Sequence, residues 1–255
     1  DYVYPANNVP SFPMTLSRFP VVYRDGAGYA CVWKKPGTAS ITRDHHMKLK
    51  LFFAHIIFFL ATGLAHAEGV APYDTITPPQ PTASGNKIEV IEFFWYGCPH
   101  CFDLEPYLGK WLAKKPDDVV FIRIPAILGN RWIHYARVYY AADKLGVTDK
   151  LHSPLFNAIH EQRVPLDDAS KLGAFIKKLG IDKDKFIAVY QSEEIGLKIK
   201  NAYVMGQDYV LTGVPTIIIN GKYRTSPSQA GSDEKLIEVM DELIEKERAA
   251  KKAMK

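Results

Sequence analysis

An apolar stretch that breaks at a glycine and then delivers two cysteines limits what this chain can become. The stretch is Glu92-Phe93-Phe94-Trp95-Tyr96-Gly97-Cys98-Pro99-His100-Cys101. Residues i and i+3 share one face of a helix, near enough for a disulfide to close between them. Pro99 suits the first helical turn, where a missing N–H costs nothing. Cys98 then stands at the helix N-terminus, where unpaired amides and the positive end of the helix dipole favour a thiolate. A thiolate is the species that attacks disulfides. The pattern is that of a dithiol redox site at a strand-to-helix turn. A structural disulfide and half of a zinc site are the other uses of C-x-x-C. Zinc needs two further ligands, and there is no second C-x-x-C or paired-histidine motif, so no metal is expected.

The 255 residues divide unevenly around this motif. Met47-Lys48-Leu49-Lys50 opens a short basic segment, Leu51 to Leu64 is a 14-residue apolar run, and Ala65-His66-Ala67 places small residues where a signal peptidase reads. This is the plan of a secretory signal peptide, with an apolar run too short for a comfortable membrane span. Cleavage is expected after Ala67. Residues 1–46 make no sense ahead of such a signal and read as a non-native upstream extension. Residues 1–67 hold seven Lys/Arg against three Asp/Glu, which is the whole excess of +4; residues 68–255 carry 25 of each sign. The basic balance therefore gives no support for nucleic-acid binding. Cys31 falls in the upstream segment, so the exported part keeps only Cys98 and Cys101. A lone pair in an exported chain is better suited to chemistry than to stapling.

Residues 68–86, rich in Pro and Thr, read as an extended lead-in. Lys87–Tyr96 is a strand, apolar enough to be buried on both faces. Cys98 to about Lys115 is a helix with Pro106 expected to kink it. Val119–Pro125 is a second buried strand, parallel to the first. From Asn130 to Leu211 the pattern is helical, with Asp167 or Asp168, Asp182 and Ser192 as N-caps. Thr216–Asn220 and Lys222–Thr225 form a hairpin across Asn220-Gly221. Ser232 caps a closing helix. The reading is α/β: a sheet domain over 68–129 and 212–255 with an inserted helical domain over 130–211.

This order resembles the thioredoxin fold in its DsbA-like form. The run from Glu92 through Cys98-Pro99-His100-Cys101 is similar to the active site of that family, and Gly213-Val214-Pro215-Thr216 to its cis-proline loop. The resemblance implies a thiol:disulfide oxidase, with Cys98 as nucleophile, Cys101 as resolving cysteine, and Pro99 and His100 tuning the pair. It implies a cis Pro215 facing the disulfide, with the Val214 backbone offered to substrate. Glu92 is the candidate proton relay for Cys101, the other reading being a partly solvated carboxylate paired with a base. Glu105 reads as a solvated helix residue, Trp95 and Tyr96 as core or rim aromatics, and His134, His152 and His160 as packing or surface residues. No cofactor is expected. The implied partners are exported proteins with free thiols and a DsbB-type membrane oxidase, with the protein itself a periplasmic monomer. The alternatives are a reductase or isomerase on the same fold, or a client-specific chaperone module.

Overall fold

The computed structural model describes residues 71–167 and 169–253. The upstream extension, the signal peptide, its cleavage after Ala67 and any capping by Asp168 lie outside the described residues.

The elements in chain order are β1 (Asp74–Thr75), β2 (Ile88–Phe94), α1 (Pro99–Leu112), β3 (Val119–Pro125), α2 (Asn130–Lys144), α3 (Thr148–His160), α4 (Ala169–Lys178), α5 (Lys183–Gln191), α6 (Glu193–Asp208), β4 (Thr216–Ile219), β5 (Tyr223–Thr225), α7 (Pro227–Ala230) and α8 (Asp233–Ala253). The sheet order is β1-β5-β4-β2-β3. β2 lies inside the sheet, parallel to β3 and antiparallel to β4, and every residue of it is buried. One face packs Ile88 and Val90 with Leu104 and Leu108 of α1 and Leu236, Met240 and Leu243 of α8. The other packs Ile91 and Phe93 with Ala202, Tyr209 and Leu211. Cover on both faces is why the strand reads as a nearly unbroken apolar run.

The hairpin between β4 and β5 turns on Asn220 and Gly221, both at positive φ (51° and 67°). That is the backbone the Asn-Gly pair supplies at least cost. A Cβ on Gly221 would lie 2.1 Å from the carbonyl oxygen of Gln80, so the lead-in can lie directly on the turn. The lead-in is more ordered than its composition suggests, since Asp74 and Thr75 pair with β5 as an edge strand. α1 runs on through Pro106 as one helix. Asp182 and Ser192 cap α5 and α6, each side chain accepting an amide three residues on.

Among the described residues, five helices, α2 to α6, separate β3 from β4. Their shared core (Val138, Leu151, Leu155, Phe156, Leu172, Ile176, Phe186) is continuous with Phe94, Tyr96, Cys98 and Cys101. The helical insertion thus packs directly against the redox motif.

Candidate active site

Cys98 is the N-cap of α1, in extended conformation, with Pro99 as the first helical residue. Its amide donates to the Trp95 carbonyl at 2.9 Å and its carbonyl accepts from the Phe102 amide at 3.2 Å, which fixes the turn at both ends. Gly97 is needed here, because a Cβ would sit 2.4 Å from the Trp95 ring. Trp95 stacks flat on Trp132 with centroids 4.5 Å apart.

Both cysteines are free thiols, so this is the reduced form. Cys101 is fully buried, while Cys98 keeps 8% of its surface and borders the exposed Pro99 and His100. The two thiols are driven apart. A hydrogen bond from the Cys101 thiol, the amides of Cys101 and His100, and the nearby His100 charge together outweigh burial and bring Cys98 down to about 6. Burial first, then the charges of Cys98 and Glu92, push Cys101 far up. Across from them the Val214–Pro215 bond is cis, and Cys98 Sγ lies 3.5 Å from the Val214 carbonyl oxygen, as a donor. The Thr216 hydroxyl donates to the Gly213 carbonyl at 2.8 Å and braces this loop. A cleft of about 350 Å³ opens beside it, lined by His100, Val214, Pro215, Ser226, Asp233 and Glu234 among others.

Behind Cys101 lies a line of buried charge. Glu92 is fully buried. In parallel register its strand partner is Arg123, whose Nε donates to Glu92 Oε2 at 2.7 Å. An Arg123 terminal nitrogen donates to both oxygens of Glu105, at 2.9 and 3.1 Å. Glu92 Oε1 has no hydrogen-bond partner among the described residues. Burial, opposed by Arg123 and helped by the Glu105 charge, pushes Glu92 up to about 7. Burial would raise Glu105 too, but the close approach of the His152 imidazole and the Arg123 charge hold it below the usual carboxylate range. Burial works against the Arg123 charge, yet its two carboxylates hold it firmly protonated.

The expectation of a solvated Glu105 is therefore corrected: its side chain is only 17% exposed and ion-paired. Glu92 is paired with a base, as one reading had it, but without the solvent that reading assumed. Trp95 and Tyr96 are rim and core aromatics as expected, and His134, bonded to the Tyr190 hydroxyl and the Leu166 carbonyl, packs the insertion together. Arg123 and the Glu105–His152 contact were not singled out from the sequence. The available signal was a single cation, Arg123, in an otherwise apolar strand expected to run parallel to the strand holding Glu92.

A family model described as a DSBA-like thioredoxin domain matches residues 89–244. The chain belongs to this DsbA-like family. It is 43% identical over 183 residues to the thiol:disulfide interchange protein DsbA of Pseudomonas syringae, covering 72% of this chain and 86% of that one. The DsbA of Pseudomonas aeruginosa is 39% identical over 180 residues, covering 71% and 85%. A crystal structure of the Pseudomonas aeruginosa DsbA superposes with a TM-score of 0.68 at 39% identity, covering 71% of this chain and 95% of that one. The protein is thus a DsbA-like thiol:disulfide oxidoreductase on a thioredoxin fold with a helical insertion. In DsbA-like terms, the redox motif, the cis-proline loop and the buried charges meet at the seam between sheet and insertion.

Proposed function

We propose that this protein donates its Cys98–Cys101 disulfide to folding exported proteins in the periplasm and is reoxidised by a DsbB-type membrane oxidase, working as a monomer. The basic start and apolar run of residues 47–67 support export, and residues 130–211 serve as an inserted domain that shapes the redox site. The observation that carries the oxidase direction is the inequality of the two thiols. A client thiolate attacks Cys98 Sγ, the Cys98–Cys101 bond breaks, and the Cys101 sulfur leaves with the bonding pair. Cys101 holds a proton far more readily than Cys98, and Glu92, titrating near neutrality, supplies it. A second client thiolate then attacks the client sulfur of the mixed disulfide. Cys98 leaves as a thiolate, and its low pKa makes it a good leaving group. Glu92 takes the Cys101 proton back when the enzyme is reoxidised. The Val214 carbonyl, beside Cys98 and ahead of cis Pro215, is placed to align an extended client backbone as an added strand. Pro99 and His100 set the helix start whose amides hold the thiolate.

The test is alkylation of the reduced protein by iodoacetamide as a function of pH. The rate at Cys98 is expected to rise with a midpoint of about 6, with Cys101 unreactive over the same range. The Cys101 thiol is the largest stabilising influence and the His100 charge the smallest. Cys101→Ala is therefore expected to raise the midpoint more than His100→Ser. A midpoint above 8, the ordinary thiol range, contradicts the proposal.

A further inference from the structure

The inserted domain reaches the redox motif through α3. His152, Phe156 and His160 are spaced i, i+4, i+8 and lie on one face. Phe156 packs on the Tyr96 ring with centroids 4.8 Å apart. His160 stacks flat on Phe102, and its Nε2 lies 2.7 Å from the Tyr96 carbonyl oxygen, to which it donates. These two contacts are packing around the turn. His152 is different, because it is a buried titratable group that the exchange chemistry above leaves unused.

His152 is 5% exposed and ringed by Phe94, Tyr96, Tyr139 and Phe156. The groups whose charges reach it are Glu105 on α1, Arg123 on β3 and Asp149 on its own helix; burial is the largest influence and disfavours the imidazolium. A neutral imidazole offers one donor and one acceptor. Nδ1 lies 2.7 Å from the Tyr96 hydroxyl, and Nε2 lies 3.2 Å from Glu105 Oε1, close but out of line for a full hydrogen bond. An ionised carboxylate cannot donate, so the proton belongs on Nε2, and the Tyr96 hydroxyl donates to Nδ1. Beyond that 3.2 Å contact, hydrogen bonds from Arg123 to Glu105 and to Glu92 carry the line on.

We propose that His152 is a positioning residue for proton exchange at Cys101: held by Tyr96, it keeps Glu105 ionised and engaged with Arg123, and so sets how much of the Arg123 charge reaches Glu92. The proposal rests on the role of Glu92 given above. Without the imidazole donor, Glu105 loses a partner that favours its charged form. A protonated Glu105 neither competes for Arg123 nor repels charge on Glu92. Both changes let Glu92 ionise at lower pH. The inserted domain then does more than cover the site, since one of its side chains adjusts the acid–base group behind the buried cysteine.

The test uses the full chain carrying a Cys98–glutathione mixed disulfide, with glutathione release followed against pH. In this step Cys101 sulfur attacks Cys98 Sγ, the Cys98–glutathione bond breaks, and glutathione leaves with the bonding pair. The Cys101 proton passes to Glu92. His152→Leu is expected to move the midpoint of the profile down by about one unit. His152→Gln restores a donor and an acceptor without a titratable ring and is expected to keep the original midpoint. An unchanged midpoint in His152→Leu, or an equal shift in His152→Gln, overturns the proposal; a purely structural role lowers melting temperature in both variants and moves neither midpoint. If His152→Leu does not fold, Glu105→Gln carries the same test, with the same downward shift expected and an unchanged midpoint again overturning it. Glu92→Gln separates the two levels. If it leaves the pH dependence intact, the role of Glu92 fails and this inference with it. If it abolishes the dependence while His152→Leu leaves the midpoint in place, this inference alone fails.

Discussion

Replacing Cys101 with serine turns a protein that passes through mixed disulfides into one that accumulates them. In the unsubstituted chain Cys101 lies against Cys98, close enough for its thiol to be the main influence on the Cys98 thiolate. Attack from that position is intramolecular, and well-placed intramolecular groups act at effective concentrations of roughly 10⁵ M and above. A serine hydroxyl cannot form the disulfide, so a Cys98 mixed disulfide is released only by a second client thiolate or by a thiol arriving from solution. With oxidised glutathione as the oxidant, Cys98 of the variant becomes a glutathione mixed disulfide, a client thiolate displaces glutathione from Cys98 Sγ, and the Cys98–client adduct appears on non-reducing gels, while oxidation of a reduced client peptide is expected to fall at least about 10³-fold. Cys98→Ser, in the chain beginning at Glu68, is expected to abolish both turnover and adduct, because Cys101 is fully buried and protonated. Turnover in Cys101→Ser near the starting rate, or an adduct in Cys98→Ser, would contradict the division of labour between the two sulfurs.

Arg123→Met is expected to cost more stability than loss of either cysteine. Arg123 is the shared partner of Glu92 and Glu105, and the Glu92 carboxylate has no exposure at all. Removing the cation leaves two carboxylates in the interior with their compensation gone. Breaking a buried pair from one side typically costs about 3–5 kcal/mol. The pH dependence has a definite sign. Glu92 titrates at about 7 in the folded protein, above its ordinary 4.5. Its protonation therefore favours the native state, with the benefit fully present below 4.5 and lost as pH rises through 7. Without Arg123 its folded pKa rises further, so the variant goes on losing stability above pH 7 where the unsubstituted protein has levelled off. The deficit in urea unfolding of the reduced protein is expected to be larger at pH 8 than at pH 5. Glu92→Gln in the Arg123→Met background is expected to recover part of it at pH 8. A deficit below about 1 kcal/mol at pH 8, the value of a surface pair, would show that the charge line is not a buried unit.

The parts of this account that were legible in the sequence are those carried by contiguous residues. The C-x-x-C with its strand and the Asn220-Gly221 hairpin each announce their geometry within a few positions, because turn chemistry and helix starts are local, whereas the cis bond at Val214-Pro215 was implied only by the family resemblance. The charge line is not local. Glu92, Arg123, Glu105 and His152 come from four separate elements, and only the parallel register of β2 on β3 and the docking of α3 bring them together. Glu105 looked solvated because it lies on a helix with charged neighbours, and what buries it is a helix about 45 residues further along the chain. His152 looked like packing, and it does pack. Its polar atoms acquire a use only once Tyr96 and Glu105 are seen on either side of it. The lead-in strand β1 escaped notice for a similar reason, since its two residues pair with a hairpin strand near the far end of the chain.

The claim that the Cys98–Cys101 disulfide is made to be given away is tested most directly by its redox equilibrium. The chain beginning at Glu68 is equilibrated in glutathione buffers of graded ratio, and the oxidised fraction is read by trapping free thiols. A thiolate held down to about 6 stabilises the dithiol form, so the pair is expected to stay reduced until the buffer is strongly oxidising. A pair that remains oxidised in strongly reducing buffer would mean a disulfide too stable to donate, and would contradict the oxidase account.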